Sequence, residues 1–290
     1  MADTKGFRVI VATDGSNIAR AAVTTASHFP WPAGTRVRVV VARRSPVEYR
    51  RSILLTALDR GAEIAADHAR RVLTRRWPDL DVVIVDKAPV TAVLGEAQRF
   101  GADVIVVGWR GHGAVRRLLM GSVSRGIVRG AACAVLVVRR LQRVSSIVVG
   151  LDQRPQASRA LEFVARLVPP ARGRVTLATA VTLTPVPSRR IALVAGDLPR
   201  EVKRTNAIRA RTASKELKRA AAKLKARGWE TRTAVTTGEP LNDLLGAVKA
   251  ARAHLLVVGA KGTSRVRHSL LGSVAEGALN SSPVPVLVAR

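Results

Sequence analysis

The segments GWRGHGAVRRLLMGSVS (residues 108–124) and GAKGTSRVRHSLLGSVA (residues 259–275) decide the fold of this 290-residue chain. Each has a glycine, two residues, a second glycine, nine residues and then Gly-Ser, and each follows a largely β-branched or apolar run, DVIVVG or HLLVVG. A strand that opens into a glycine-rich loop and a helix can hold phosphate on backbone N–H groups. Because the two copies lie 151 residues apart with the same internal spacing, they indicate a duplicated domain.

Short apolar strand patterns alternate with helical patterns in both halves of the chain. Those of the first half are FRVIVAT (7–13), TRVRVVVAR (35–43), DVVIV (81–85), DVIVV (103–107) and AVLVV (134–138). Those of the second half are SSIVVGL (145–151), RVTLATAV (174–181), TRTAVT (231–236), HLLVV (254–258) and VPVLV (284–288). Apolar strands that alternate with helices are typical of α/β domains, where helices cover both faces of a parallel sheet. We therefore expect two tandem, doubly wound domains, residues 1–142 and 143–290.

Composition limits the class of protein. The apolar fraction of 47% is enough for two cores, and the longest apolar runs are too short for a membrane span. The single cysteine, Cys133, excludes an intrachain disulfide, and the N-terminus has no signal-peptide pattern, so we expect a cytoplasmic protein.

The net charge of +29 predicts salt-dependent, nonspecific attraction to polyanions such as nucleic acid. A helix predicted near residues 200–227 carries ten basic residues from Lys203 onward. It could bind nucleic acid or anionic lipid, but a solvated basic face with Leu217, Ala221 and Leu224 turned inward is the favoured interpretation.

Aspartates end the first strand of each half and suggest a polar crevice. In a doubly wound sheet, ligands bind beyond the carboxyl ends of the strands where strand order reverses. Asp14 and Gly108 should then line one crevice, and Asp152 and Gly259 another. A carboxylate suits ribose hydroxyls or an adenine amino group, while the Gly-Ser helix start suits phosphate. The alternative is that strand-end glycines and a helix-start serine are ordinary structural features.

The loops offer further polar and aromatic candidates. Trp109 could stack on a ligand or partner, or pack partly buried. Loop cations could neutralise a triphosphate or remain solvated; these are Arg110, Arg116, Arg117, Lys261, Arg265 and Arg267. The segments match neither a Walker A loop nor a GxGxxG fingerprint, and no catalytic base for ATP hydrolysis can be assigned.

With these residues the chain resembles the ATP-binding branch of the universal stress protein family, in a tandem form. The resemblance rests on the G-x2-G-x9-G-S pattern and continues through GSVSRGIVRGAACAVLVVR (121–139) and GSVAEGALNSSPVPVLVAR (272–290). The opening strands IVATDGS (10–16) and VVGLDQRP (148–155) are also similar to the family's. The resemblance implies strand order 3-2-1-4-5 in each half, with one ATP between the first and fourth strands.

The resemblance also implies the contacts of each site. Asp14 and Asp152 match the adenosine contact, Val41 and Ala180 an apolar adenine wall, and Ser124 a phosphate-binding hydroxyl that Ala275 lacks. The implied first site contains Ala12, Thr13, Asp14, Val41, Gly108, Gly111, Gly121, Ser122, Val123 and Ser124. The implied second site contains Gly150, Leu151, Asp152, Ala180, Gly259, Gly262, Gly272, Ser273, Val274 and Ala275.

The function implied is that of a cytoplasmic, ATP-binding stress-response regulator, non-catalytic or a very slow ATPase, with Mg²⁺ possible on the phosphates. A protein partner, not identifiable from sequence, and a homodimer are expected; in the family the fifth strands of two such domains pair across a pseudo-twofold. The alternative is a basic module for polyanions whose nucleotide sites are vestigial.

Overall fold

The computed structural model describes residues 6–43, 53–111, 120–152, 158–185, 197–260 and 271–290. The strands are β1 (Arg8–Ala12), β2 (Arg36–Arg43), β3 (Asp81–Asp86), β4 (Val104–Gly108), β5 (Ala134–Val138), β6 (Ser146–Gly150), β7 (Arg174–Ala180), β8 (Glu230–Thr236), β9 (Leu255–Gly259) and β10 (Val286–Ala289). The helices are α1 (Asn17–His28), α2 (Ile53–Leu73), α3 (Pro89–Phe100), α4 (Ser122–Gly130), α5 (Ser158–Arg166), α6 (Leu198–Lys225), α7 (Pro240–Ala250) and α8 (Ser273–Ser281).

The ten strands form one sheet, in the order β3-β2-β1-β4-β5-β10-β9-β6-β7-β8. Within each half all neighbouring strands are parallel. If the strands are numbered within each half, their order from the outer edge of the sheet to its middle is 3-2-1-4-5 in both halves. The halves meet where β5 and β10 pair antiparallel, with Leu136 opposite Leu287. The predicted α/β class, with a mostly parallel sheet and helices, is confirmed.

Helices cover both faces of the sheet, which explains why the strands are apolar on both sides. One core lies under α1, α2, α5 and α6 and contains residues of both halves, such as Val11 and Leu177. The other core lies under α3, α4, α7 and α8 and contains Ile105 and Leu256. In α6 the inward residues are Leu217, Ala221 and Leu224, as the sequence predicts. No helix in the described ranges is long and apolar enough to cross a membrane.

The two halves use different residues at the start of the fourth strand. Asp103, just before β4, accepts the N–H of Arg8 on Oδ2 at 2.8 Å. His254, just before β9, instead accepts the N–H of Ser145 on Nδ1 at 3.3 Å, with the Ser145 hydroxyl 3.1 Å from the same nitrogen. Burial, and then the charge of Arg174, lower the pKa of His254. Both the lowered pKa and the acceptor role favour the neutral imidazole.

We expect stability to depend on pH through His254. A group whose pKa is lower in the folded than in the unfolded state stabilises the fold above its unfolded pKa, about 6.5 for histidine, and this contribution is lost as pH falls. His254→Asp replaces the histidine by the residue type found at this position in the first half, and the ordinary pKa of an aspartate side chain, about 3.9, lies below the range tested. Between pH 7.5 and 5 the wild type should therefore lose more unfolding free energy than His254→Asp, measured by urea denaturation.

His68 keeps part of the pH dependence in that variant, because burial and then the charges of Arg20 and Arg71 lower its pKa as well. Equal slopes for the wild type and His254→Asp would show that His254 does not titrate as described.

Candidate functional site

The candidate crevice of the first half lies where β1 and β4, neighbouring parallel strands, end at the same edge of the sheet. Val9, Ile10 and Val11 pair with Val104, Ile105 and Val106 in register, so Thr13 and Asp14 leave the sheet close to Gly108. A Cβ on Gly111 would overlap the Asp14 carboxylate, which shows that Asp14 Oδ2 lies against this backbone. The structure therefore brings Asp14, Gly108 and Gly111 together, and only glycine permits the approach.

The turn that carries Asp14 is held by local hydrogen bonds. Asp14 Oδ1 accepts the N–H of Ser16 at 3.0 Å, and Thr13 Oγ1 accepts the N–H of Gly15 at 3.2 Å. Gly15 has φ of 79°, in the left-handed region that glycine tolerates best. Ser16 then caps α1 by accepting the N–H of Ala19. This role of Ser16 is not among the sequence-based predictions, although Ser before an apolar helix is a recognisable capping signal.

The helix start of α4 forms the other wall of the crevice. Gly121 is its N-cap and donates its N–H to the carbonyl of Trp109 at 3.0 Å. The first helical hydrogen bond runs from Arg125 N–H to the Gly121 carbonyl, so the N–H groups of Ser122, Val123 and Ser124 precede it. Ser122 and Val123 are exposed, and the first turn of α4 contains no acidic residue. This end carries the partial positive charge that favours an anion.

Ser124, predicted as a phosphate contact, makes a hydrogen bond inside the fold. Its side chain is buried, and its hydroxyl donates to the carbonyl of Gly108 at 2.6 Å. The one O–H of serine is thus used inside the fold, where it ties α4 to the end of β4. Ala275, at the same place in the second half, is buried as well. The Ser/Ala difference therefore removes a structural hydrogen bond from the second half.

The second half repeats the scaffold. The N–H of Leu151 donates to the carbonyl of Ala178 at 2.8 Å, as that of Thr13 donates to Val40 at 3.1 Å. Gly272 caps α8 and donates to the carbonyl of Ala260 at 2.8 Å. The remaining members of the predicted second site lie on this scaffold: Asp152 is exposed after β6, Gly259 ends β9, and Ser273 and Val274 begin α8. Gly262 lies outside the described residues.

An acidic residue distinguishes the second helix start from the first. Glu276 lies in the first turn of α8, and its carboxylate forms an ion pair with Arg129 of α4 at 3.2 Å. A carboxylate in the first turn competes with a bound anion for the positive end of the helix. The second helix start is therefore less favourable for phosphate than the first.

Ala12 and Gly150 end β1 and β6, and their side-chain positions lie in the core. Ala12 belongs to the core under α3 and α4, and a Cβ on Gly150 would press on the side chain of Leu244 in α7. These two positions can reach a ligand with backbone atoms alone.

Val41 and Ala180, both predicted as adenine-wall residues, are not at equivalent positions of the two halves and differ by one residue in register. Ala12 pairs with Val40 and Gly150 pairs with Ala178, so the counterpart of Val41 is Thr179. Val41 is buried in the core under α2. Thr179 is also buried, and its Oγ1 has no hydrogen-bond partner in the structure as described. The second half therefore has a buried hydroxyl where the first has a methyl group.

Trp109 packs between the two halves. Its indole N–H donates to the carbonyl of Leu279 in α8 at 2.9 Å, and it is 7% exposed. The guanidinium groups of Arg110 and Arg139 lie over its ring, 4.1 and 3.8 Å from the centroid. Arg110 is thus a stacking partner in this structure, and the other loop cations, Arg116, Arg117, Lys261, Arg265 and Arg267, lie outside the described residues.

Two arginines join the halves reciprocally. Arg139, after β5, donates to the carbonyls of Leu279 and Asn280 at the end of α8, and Arg290, after β10, donates to the carbonyl of Val128 in α4. Cations are favoured at helix C-termini because the unpaired carbonyls carry partial negative charge. This role is not among the sequence-based predictions, although Arg139 and Arg290 occupy the same position in the two repeats.

Comparisons with known proteins agree with this architecture. The universal stress protein family model matches residues 7–139 and again 144–290, so the chain belongs to that family as a tandem, stress-response member. Universal stress protein Rv2005c of Mycobacterium tuberculosis is 28% identical over 313 aligned positions that cover 99% of this chain and 98% of the relative. A universal stress protein of Thermus aquaticus is 32% identical over 45% of this chain and 97% of its own length.

A solved structure of the family has the same overall fold. The crystal structure of a universal stress protein from Archaeoglobus fulgidus superposes with a TM-score of 0.71 at 18% identity and covers 99% of each chain. At this identity the likeness concerns the fold alone.

We expect Ser124→Ala to lower the unfolding free energy by about 1 kcal/mol, because the buried Gly108 carbonyl loses its donor. Nucleotide affinity at the first site should change little, since the hydroxyl is not offered to the crevice. Urea denaturation and calorimetric titration with ATP measure the two quantities.

The reciprocal change, Ala275→Ser, is the matched control because it gives the second half the missing hydroxyl. It should leave stability unchanged or raise it. A Ser124→Ala protein with wild-type stability and strongly weakened ATP binding would restore the phosphate role to this hydroxyl.

Proposed function

We propose that this universal stress protein binds adenine nucleotide, ATP in the first instance, in the crevice of each half. The observation that supports this most is that two features meet at neighbouring strand ends: an exposed aspartate that lies against glycine, and a helix start with no side-chain cap among the described residues. In the second half the structure describes an exposed aspartate, Asp152, a glycine that ends the fourth strand, Gly259, and a helix start at Gly272. Two such crevices, placed where doubly wound folds bind ligands, favour a nucleotide over a chance arrangement.

The chemistry of the crevice matches the two ends of a nucleotide. Asp14 can accept hydrogen bonds from ribose hydroxyls or an adenine amino group, and it would repel phosphate. The N–H groups of Ser122, Val123 and Ser124 suit the phosphates, which are acceptors and negatively charged. Gly108 leaves no room for a Cβ, because that atom would lie 3.1 Å from the N atom of Ala19 in α1. The binding free energy would come from these polar contacts, and the glycines would allow the backbone to approach the nucleotide closely enough to form them.

We propose reversible binding as the activity, with hydrolysis at most very slow. Within the described ranges no group of three or more His, Cys, Asp or Glu residues could hold a metal ion. Any Mg²⁺ would therefore be held mainly by the phosphates and water, as Mg²⁺ commonly is. Burial raises the pKa of Cys133 to about 11, which keeps the thiol protonated and a poor nucleophile.

The same proposal includes a cytoplasmic location, a protein partner that responds to the bound state, and a homodimer. Because β5 and β10 pair with each other, a homodimer would have to use a different surface. The outermost strands, β3 and β8, are charged at Asp81, Asp86, Glu230 and Arg232, which discourages edge-to-edge pairing. A dimer through the helical layers is therefore the arrangement we expect.

We expect Gly121→Glu to abolish nucleotide binding in the first half while the protein stays folded. A Cβ at Gly121 would lie 3.3 Å from the Cα of Arg110, and the added carboxylate would occupy the helix start where phosphate binds. The same charge is compatible with the helix itself, because acidic groups stabilise helix N-termini. Isothermal titration with ATP should give two sites for the wild type and one for Gly121→Glu. Gly272→Glu should likewise retain one site, the tighter of the two.

Matched controls place the same charge elsewhere in each half. Gly95 in α3 and Gly246 in α7 have open space where a Cβ would be added, so Gly95→Glu and Gly246→Glu should keep both sites. Mass spectrometry of ligand released from fresh protein identifies the nucleotide. No heat with ATP, ADP or cyclic AMP and no released nucleotide would refute the proposal.

A further inference from the structure

The outward face of α6 is basic along most of its length. This helix of 28 residues contains ten Lys or Arg residues and two acidic ones, Glu201 and Glu216. Its apolar side packs into the core through Ala213, Leu217, Ala220, Ala221 and Leu224. By the helical repeat, the side opposite these residues carries five exposed cations; they are Arg204, Arg211, Lys215, Lys218 and Arg219. We call these five residues the basic face.

Helix α2 shows that this charge is not required by the fold. It connects the second and third strands of the first half, as α6 does in the second, and has three basic and three acidic residues. Two of its aspartates are paired, Asp59 with Arg43 at 2.6 Å and Asp67 with Arg70 at 2.8 Å. In the described part of the chain, the one ion pair recorded for α6 joins Arg200 to Asp197 at 3.5 Å. Among the described residues, no ion pair neutralises a cation of the basic face.

We propose that the basic face binds the phosphodiester backbone of a nucleic-acid duplex. Residues 204–219 span about 22 Å at 1.5 Å per residue, and a duplex carries about one negative charge per 1.7 Å of axis. Several phosphates therefore lie within reach of the five cations. Arg211, Lys215, Lys218 and Arg219 also border an open depression on the surface, which leaves them accessible.

The contacts are to phosphate rather than to bases. The only side-chain amide of α6, that of Asn206, is hydrogen-bonded to the backbone of Thr184, at 2.8 Å to its carbonyl and 3.0 Å to its N–H. The helix has no aromatic residue on which an unpaired base could stack. Binding is consequently independent of sequence and strongly dependent on salt.

An anionic membrane fits this face less well. Amphipathic helices bind membranes by burying an apolar face at the interface, and the apolar face of α6 is already buried in the protein core. On the outward side Ile208 is an isolated exposed apolar residue, 54% accessible. Because the basic face has charge but no apolar surface that could insert into a membrane, it fits a nucleic-acid duplex better.

The test is a salt titration with labelled DNA duplexes of two unrelated sequences, about 24 base pairs or 80 Å long at 3.4 Å per base pair. Five phosphate contacts predict that log Kobs falls with log [NaCl] with a slope near −4.5, or about 500-fold between 50 and 200 mM. The two sequences should bind with the same affinity. Failure to bind either duplex at 50 mM NaCl would overturn the proposal.

Matched variants separate the basic face from the general positive charge. The variant Arg204→Gln/Arg211→Gln/Lys215→Gln/Lys218→Gln should have a slope shallower by about 3.6, at 0.9 per lost contact. The control Arg60→Gln/Arg70→Gln/Arg71→Gln/Arg75→Gln removes the same charge from α2 and the turn after it, and should keep the wild-type slope. Equal slopes for both variants would assign binding to net charge and refute the assignment to α6.

Folding and alternative ligands are checked in parallel. Glutamine has a helix propensity close to those of Arg and Lys, so circular dichroism and Tm should be unchanged. The double variant Lys215→Gln/Lys218→Gln should shift the slope by about 1.8 and still tests the proposal if the quadruple variant unfolds. Binding to phosphatidylglycerol vesicles without binding to either duplex would contradict it. The variants should retain both ATP sites, so this result is separate from the test of the nucleotide proposal.

Discussion

The antiparallel pairing of β5 with β10 is the constraint on which the rest of the molecule depends. Each strand is almost wholly apolar. If its half stood alone, either strand would be an exposed apolar edge strand with unpaired backbone groups, which promotes aggregation. Leu136 and Leu287 face each other in this pair and are fully buried, and burying a side chain of this size stabilises by about 1.5–3 kcal/mol. The pairing merges the two five-stranded sheets, and it places α4 and α8, the helices that begin at the two crevices, on the same face of the sheet.

The joint between the halves uses the far ends of the same helices that form the candidate sites. The N-termini of α4 and α8 lie at their own crevices, while their C-terminal carbonyls accept hydrogen bonds from Arg290 and Arg139 of the opposite half. Trp109 adds a link, because its backbone carbonyl binds the Gly121 N–H and its indole binds the Leu279 carbonyl. Each crevice is thus built partly on contacts with the other half, so the halves are not independent units that merely share a linker.

The fold class and part of the candidate site could be predicted from the sequence where the pattern was periodic or repeated. Strand and helix alternation predicted the α/β class, and the positions of Asp14 and Gly108 at the ends of the first and fourth strands predicted that they line one crevice. The sequence could not predict features that depend on a strand register of one residue or on the rotamer of a single side chain. The second strand is apolar over several positions, so Val41 could be matched to Ala180 instead of Thr179. A hydroxyl at the third helical position can face either the crevice or the core, and only the fold shows that Ser124 bonds to Gly108.

The two kinds of anion recognition inferred for this chain rest on different physics. The crevice selects by shape and by directed N–H groups, because Gly111 lets the backbone reach Asp14 and the first turn of α4 has no competing carboxylate. The basic face of α6 has no such enclosure and can recognise only charge density. It lies with α2 on the opposite face of the sheet from α4 and α8. A polyanion on α6 therefore need not block the phosphate end of either crevice. Since α2 is electrically balanced, the duplicated halves keep one crevice scaffold in common while their helices after the second strand differ in surface charge.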